Sequence, residues 1–332
     1  MGTVGIIANP LAGKDVRRLV AHASPTSDSS KIGIVRRAVA AALDGGVKRV
    51  LVAPDCRSLS SRAIDDLDDP RVETVDEITF GQSSDSTVMA RIMRSEGVEA
   101  IVVLGGDGTH RDVAKGWSDA AMVAISTGTN NVFPRYVEAT LAGTAAALVA
   151  EGVVPLAHAA QQSSLIEVEF SDGTHDMALV DIALVTGSFI GSRAVWDASR
   201  LQQILACIAE PASIGLSSIA ALLHPVHRFE PGGVHVVVGG SQRVVRAPLA
   251  PGTFVDVPVA HSSVVQDGHG IVFTGPGVLS FDGERDRVLA HGERAVATIS
   301  RRGPHVIDVD RTITLAAKAG HFVSQEFRHH GR

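Results

Sequence analysis

One tyrosine (Tyr136), two tryptophans and ten phenylalanines are all the aromatic side chains in 332 residues. So small a supply leaves no stacking platform for a single-stranded nucleic acid. Positive charge is also short: 30 Lys and Arg stand against 36 Asp and Glu, a formal net charge of -6, and the basic residues form no dominant run. Electrostatic capture of a phosphate backbone is therefore excluded, and no nucleic-acid partner is expected. The two cysteines, Cys56 and Cys207, lie far apart and outside any C-x-x-C spacing, which excludes a disulfide framework and a zinc ribbon. No apolar run reaches the ~18 residues of a membrane span. The opening MGTVGIIANP lacks the charged region and long apolar stretch of a secretion signal, so a reducing cytoplasm is the expected compartment.

Glycine and apolar residues are plentiful instead. With 33 glycines and 45% hydrophobic residues the chain reads as folded and rich in tight turns, and its length predicts two domains rather than one. TVGIIA (3–8) is a strand ended by Asn9-Pro10, followed by helical sequence from about Asp15 to Ala23. SPTSDSS (24–30) is a polar loop, after which apolar residues recur at helical spacing until Gly45-Gly46. RVLVAP (49–54), residues 71–75 and AIVVL (100–104) read as strands alternating with helices near 58–67 and from about Ser84 to Ser95. This alternation predicts βαβ units on a parallel sheet, with ligands outside the carboxyl ends of the strands, at the loops after Ala8 and Leu104.

After about residue 155 the pattern changes to strands separated by turn residues, from LIEVEF through GIVFTG to AVATISR. ASRLQQILACIA (198–209) interrupts them with helical periodicity, and SIGLSSIAALL suggests a second short helix. The expected organisation is an α/β domain over 1–150, a predominantly β domain over 151–310 and a tail, 311–332, returning to the first domain.

The strongest chemical signal is AIVVLGGDGTH (100–110), a buried strand running into three glycines interleaved with one carboxylate and one hydroxyl. Glycine permits positive φ and lets a polyphosphate approach main-chain N–H groups closely. Two familiar phosphate loops are excluded: a Walker loop ending at Gly13-Lys14 needs Gly and Ser or Thr where Ala8 and Asp15 stand, and a dinucleotide fingerprint needs Gly at Arg111.

GGDGT (105–109), preceded by its apolar strand, resembles the signature of the superfamily of NAD kinases, diacylglycerol kinases and sphingoid-base kinases. In the same order, ANPLAGK (8–14) is similar to that superfamily's Asn-Pro loop, STGTNNVFP (126–134) to its second glycine loop, and FDGE (281–284) to its late Asp-Gly-Glu turn. NPLAGKDVRRLV and GTNNVFP look closest to the NAD-kinase-like branch that includes acetoin-catabolism protein X. The segment that would hold a nicotinamide nucleotide in true NAD kinases has only a poor counterpart, GSFIGSRAVWD (187–197). The resemblance implies a small-molecule kinase, with NAD(H) or another soluble metabolite as acceptor and Mg²⁺ or Mn²⁺ as cofactor. ATP or polyphosphate would be the donor, and a homo-oligomer is implied as well. A lipid kinase and a catalytically silent nucleotide-binding protein stay open as alternatives.

Phosphoryl transfer depends on alignment and charge neutralisation, which suggests a role for each residue. Asp107 accepts the proton of an acceptor hydroxyl. The amides of Gly105, Gly106 and Gly108 and the hydroxyl of Thr109 hold donor phosphates, with Asn9 and Lys14 from the neighbouring loop and Thr129, Asn130 and Asn131 from the second glycine loop. Asp282 is the candidate metal ligand. Glu284 and Asp181 are candidates to contact the acceptor, Asp181 because a carboxylate inside MALVDIALV is costly to bury without a partner. Plainer roles stand beside these: Lys14 as a solvated lysine at a helix start, Asn130 and Asn131 as turn residues, Glu284 as an exposed hairpin residue. Arg193 would equally make Asp181 structural. HPVHRF, with His224 and His227, reads as a loop rather than a zinc site, and DDLDDP (65–70) as a solvated helix end.

Overall fold

A computed structural model describes residues 2–12, 26–128, 130–187, 198–240 and 243–323. The helix expected from Asp15 to Ala23, with Lys14, Thr129 and Arg193, lies outside the described residues.

The first half alternates as expected: β1 (Thr3–Ala8), α1 (Asp28–Asp44), β2 (Arg49–Val52), α2 (Leu59–Ile64), β3 (Val72–Thr74), α3 (Ser83–Ser95), β4 (Ala100–Gly105), α4 (Asp107–Gly116), β5 (Ala121–Ser126) and α5 (Ala139–Ala150). The strands pair in parallel in the order β3-β2-β1-β4-β5. Both faces of this sheet are covered, which is why its strands read as continuous apolar runs. Val4, Ile6, Val102 and Leu104 pack toward α1 and α5, while Ile7, Ile101 and Val103 pack toward α3 and α4. Helices α1 and α5 lie close because Gly143 has no Cβ; one there would stand 2.2 Å from the Ala38 carbonyl oxygen.

The chain leaves this sheet and comes back to it. His305–Ile307 pairs in parallel with β5, and Ala160–Gln162 pairs antiparallel beyond it. The helix Val309–Lys318 then packs Ile313, Leu315 and the buried Ala316 into the cluster that contains α1 and α5. Between these returns the chain is antiparallel β. One sheet runs in the order 244–250, 253–265, 233–238, 201–206, 181–185, 277–281, 284–289, and a four-stranded sheet runs 270–274, 294–300, 165–170, 175–178.

One local expectation is overturned. ASRLQQILACIA is a 3-10 turn at Ala198–Arg200 followed by the strand Leu201–Ala206. Ile204, Leu205 and Ala206 are fully buried, so the run is apolar on both faces and its periodicity does not discriminate helix from strand. Ladders on both sides, to Asp181–Val185 and Gly233–Val238, decide it. SIGLSSIAALL contains a helix as expected, at Leu216–Ala221.

The core explains how the halves meet. One continuous cluster runs from Met89 and Met93 of α3 through Val113 of α4 and Phe133 to Ile166, Phe273 and Phe281 of the antiparallel sheets. The carboxyl ends of β1, β4 and β5 therefore open against antiparallel strands.

Candidate active site

Three loops leave neighbouring strands of the parallel sheet at the same end. Asn9, just after β1, donates its main-chain N–H to the Leu104 carbonyl at 3.0 Å and its side-chain Nδ2 to Thr109 Oγ1 at 2.9 Å. Its Oδ1 accepts from Leu11 N at 2.8 Å. The Asn-Pro loop is held from below by Lys31 of α1, whose buried ammonium donates to the carbonyls of Pro10 and Ala12, each at 2.7 Å. After β5, Asn131 Nδ2 donates to Ser126 Oγ at 2.8 Å and Thr127 N to the Gly105 carbonyl at 3.2 Å. Gly215 approaches Asn130, whose Oδ1 would lie 3.9 Å from a Cβ there.

At the centre β4 passes directly into α4 through Gly105 and Gly106, so Asp107 occupies the first turn of a helix whose N-terminal N–H groups point into the loop cluster. Such a terminus favours anions. The glycines are required by space rather than by backbone angle. Gly106 has φ −99, and none of the three lies at positive φ, contrary to the expectation from sequence. A Cβ at Gly105 would stand 2.5 Å from Thr109 Cβ, one at Gly106 2.9 Å from Asn131 Oδ1, and one at Gly108 3.1 Å from Glu284 Oε1. The loop is thus closely lined by the polar side chains that the sequence nominated.

Asp107 is buried, at 8% exposure. Its Oδ1 accepts from Val132 N at 3.0 Å and Phe133 N at 2.8 Å, and its Oδ2 from Val132 N at 3.1 Å. One turn on, His110 is fully buried against Phe133. Burial pushes its pKa down to about 4, so the ring is neutral near pH 7, with Nδ1 2.8 Å from the Gly106 carbonyl. Arg111 donates to the Phe281 carbonyl at 3.0 Å and lies over the Phe281 ring. It ties α4 to the turn 281–284 that sets Glu284 above Gly108.

Asp282 occupies that turn at φ 50 and turns inward. Its carboxylate accepts from Leu179 N, Val180 N and Asp181 N at 2.8–3.3 Å. Burial raises its pKa to about 6, against the charge of Arg111 and these amide bonds. Asp181 is its neighbour, giving its carbonyl to Asp282 N at 2.9 Å. The buried Cys207 thiol is pushed well up, first by burial and then by the charges of Asp282 and Asp181. Asp282 therefore clasps the strand carrying Asp181. Among the described residues no three His, Cys, Asp or Glu side chains come together to hold a metal. These residues, Asp282 included, do not fit a protein-held Mg²⁺ or Mn²⁺.

Sequence reasoning missed Arg228 and Glu210. Arg228, 5% exposed, donates Nη1 to the Phe133 carbonyl at 2.6 Å and Nη2 to the Val132 carbonyl at 2.7 Å. It pairs with Glu210 through Nε at 3.0 Å and Nη2 at 2.9 Å, and Arg135 pairs with the same carboxylate. Arg228 stands in HPVHRF, where the histidines drew attention. His224 Nε2 meets Ser262 Oγ at 3.0 Å, and His227 Nε2 lies 3.4 Å from Glu210 Oε1.

A parallel sheet with glycine loops at its carboxyl edge, closed by antiparallel strands that carry an Asp-Gly-Glu turn, is the NAD kinase fold. The crystal structure of yeast NADH kinase complexed with NADH superimposes with a TM-score of 0.52 at 14% identity, covering 100% of this chain and 90% of that one. Residues 4–153 match the ATP-NAD kinase N-terminal domain, and residues 164–302 match the acetoin catabolism protein X C-terminal domain. Acetoin catabolism protein X of Cupriavidus necator is 37% identical over 322 residues, 92% of this chain and 90% of its own length. The chain belongs to the acetoin catabolism protein X family.

Proposed function

We propose that the protein is a phosphotransferase that moves the terminal phosphoryl group of ATP, or of polyphosphate, onto a hydroxyl of a soluble nucleotide-like acceptor, NAD(H) foremost. The observation that carries this reading is the placement of Asp107: one carboxylate, held by two amides, in the first turn of a helix where three loops converge. The donor's phosphates lie along the amides of Gly105, Gly106 and Gly108, with Asn9, Thr109 and Asn131 beside them. Mg²⁺, which neutralises phosphate charge, would arrive with the donor.

Asp107 takes the proton of the acceptor hydroxyl as that oxygen bonds to the terminal phosphorus. The bond from phosphorus to the bridging oxygen breaks, and the electron pair leaves with ADP or the shortened polyphosphate. Glu284, above Gly108, and Asp181 contact the acceptor. A carboxylate at Asp181 suits a ribose diol or an exocyclic amine, because it accepts two hydrogen bonds, and it suits an acyl chain badly.

The test is a screen of soluble metabolites, NAD⁺ and NADH first, for transfer of label from γ-labelled ATP in the presence of Mg²⁺, with diacylglycerol and sphingoid bases as the opposing arm. Label in a soluble hydroxyl compound supports the reading. Label in lipid alone refutes it.

A further inference from the structure

We propose that Arg228, held by Glu210, is a positioning residue that fixes the orientation and ionisation of Asp107 through the peptide unit joining Val132 to Phe133. The carbonyl of that peptide accepts Arg228 Nη2 at 2.7 Å, and its N–H, on Phe133, donates to Asp107 Oδ1 at 2.8 Å. One rigid amide therefore has a guanidinium on its oxygen and a carboxylate on its hydrogen. Each neighbouring peptide carries half of the arrangement: the N–H on Val132 reaches Asp107, and the Phe133 carbonyl, whose peptide nitrogen belongs to Pro134 and has no hydrogen, accepts Arg228 Nη1 at 2.6 Å.

The chemistry follows from polarisation. A carbonyl that accepts a charge-assisted hydrogen bond withdraws density from its own N–H and makes it a stronger donor. All members of the chain are buried: Glu210 8%, Arg228 5%, Val132 5%, Phe133 1% and Asp107 8% exposed. Burial at this depth keeps solvent screening of it weak. A buried ion pair adds little to stability by itself, and Glu210 already has Arg135 and His227 as partners. What Arg228 adds is two carbonyl contacts on the segment that grips Asp107.

The inference rests on the phosphotransferase reading only for its kinetic arm. The primary readout is the titration of the Asp107 carboxyl carbon by NMR in the full, unliganded protein, its resonance assigned by its loss in Asp107→Asn. Arg228→Met removes the cation, and the midpoint moves up by about half a pH unit or more, less than a directly paired charge would give. Arg228→Lys returns most of that shift. Glu210→Gln leaves the guanidinium less neutralised and moves the midpoint down. Other titratable or charged groups around Asp107 are the buried His110 ring, Arg111 and Asp112 on its own helix, Asp282 and Glu284 on the turn, Asp181 behind Asp282, and Arg135 and His227 beside Glu210. All are common to the compared proteins, so their fields cancel.

In the kinetic arm the acid limb of turnover moves in the same directions while donor KM stays constant, which a loss of folded protein would not produce. A wild type with no transfer activity would refute the function proposed above and leave the NMR arm to decide this one. A folded Arg228→Met protein with the wild-type Asp107 midpoint overturns the inference. If Arg228→Met does not fold, Arg228→Lys and Glu210→Gln decide, and a Glu210→Gln midpoint that is unchanged or raised overturns it.

Discussion

Substituting Gly108 by alanine separates a loop that binds phosphate from one that merely turns. The φ of Gly108 is not positive, so alanine meets no backbone strain there, and fewer unfolded conformations favour the folded state by about 0.4–1 kcal/mol. Against that, the new Cβ stands 3.1 Å from Glu284 Oε1, the far end of a side chain that can yield by a few tenths of an ångström. The terms nearly cancel, and the melting temperature should stay within about 4 °C of wild type. A donor phosphate has no such freedom, because it must approach the amides past the same Cβ. Calorimetric titration with ATP should show at least about tenfold weaker binding, roughly 1.4 kcal/mol. Gly105→Ala provides the contrast: its Cβ would meet the stem of Thr109 at 2.5 Å, and it should lose about 1–3 kcal/mol of stability in urea unfolding. A folded Gly108→Ala protein that binds ATP like wild type would refute phosphate binding at this loop.

Lys31→Met leaves the Pro10 and Ala12 carbonyls without the buried ammonium; about 1–3 kcal/mol of stability is lost and ATP affinity falls with it, both read by ligand-dependent thermal melting. The inward-turned Asp282 gives a pH signature: its folded pKa is about 6 against an ordinary value of 3.8, so its contribution is fully present below pH ~4 and lost as pH rises through 6. Urea midpoints from pH ~4 to ~7 should fall with pH in wild type relative to Asp282→Asn, and taking the difference removes the opposing slope of His110. Asp181→Ala should raise acceptor KM more than donor KM in initial-rate kinetics; the reverse order would place the acceptor elsewhere.

The parallel sheet was legible because its strands are buried on both faces and end in turn residues. The helix at Asp28, by contrast, starts inside the segment read as a polar loop, and the helix at Asp107 starts inside the glycine segment without a periodic signal to announce it. Asn9, Asp107, Thr109, Asn131 and Glu284 were legible because they sit in short glycine-bearing segments whose chemistry is local. What escaped was non-local. Leu201–Ala206 is a strand only because two ladders flank it. Arg228, Glu210 and Lys31 are single charges without periodicity. Only folding carries Arg228 to a carbonyl 96 residues away and Lys31 to one 21 residues away, and only folding sets Glu210 beside Arg228. The inward turn of Asp282 depends on amides about a hundred residues earlier, and no spacing in FDGE announces it.

The central claim is that Asp107 removes a proton during phosphoryl transfer. Single-turnover transfer from γ-labelled ATP to the best soluble acceptor, measured for wild type and Asp107→Asn at equal donor occupancy, tests it most directly. The account predicts unchanged ATP affinity and a rate lower by about 100-fold or more. An Asp107→Asn protein that transfers phosphoryl groups at the wild-type rate would contradict it.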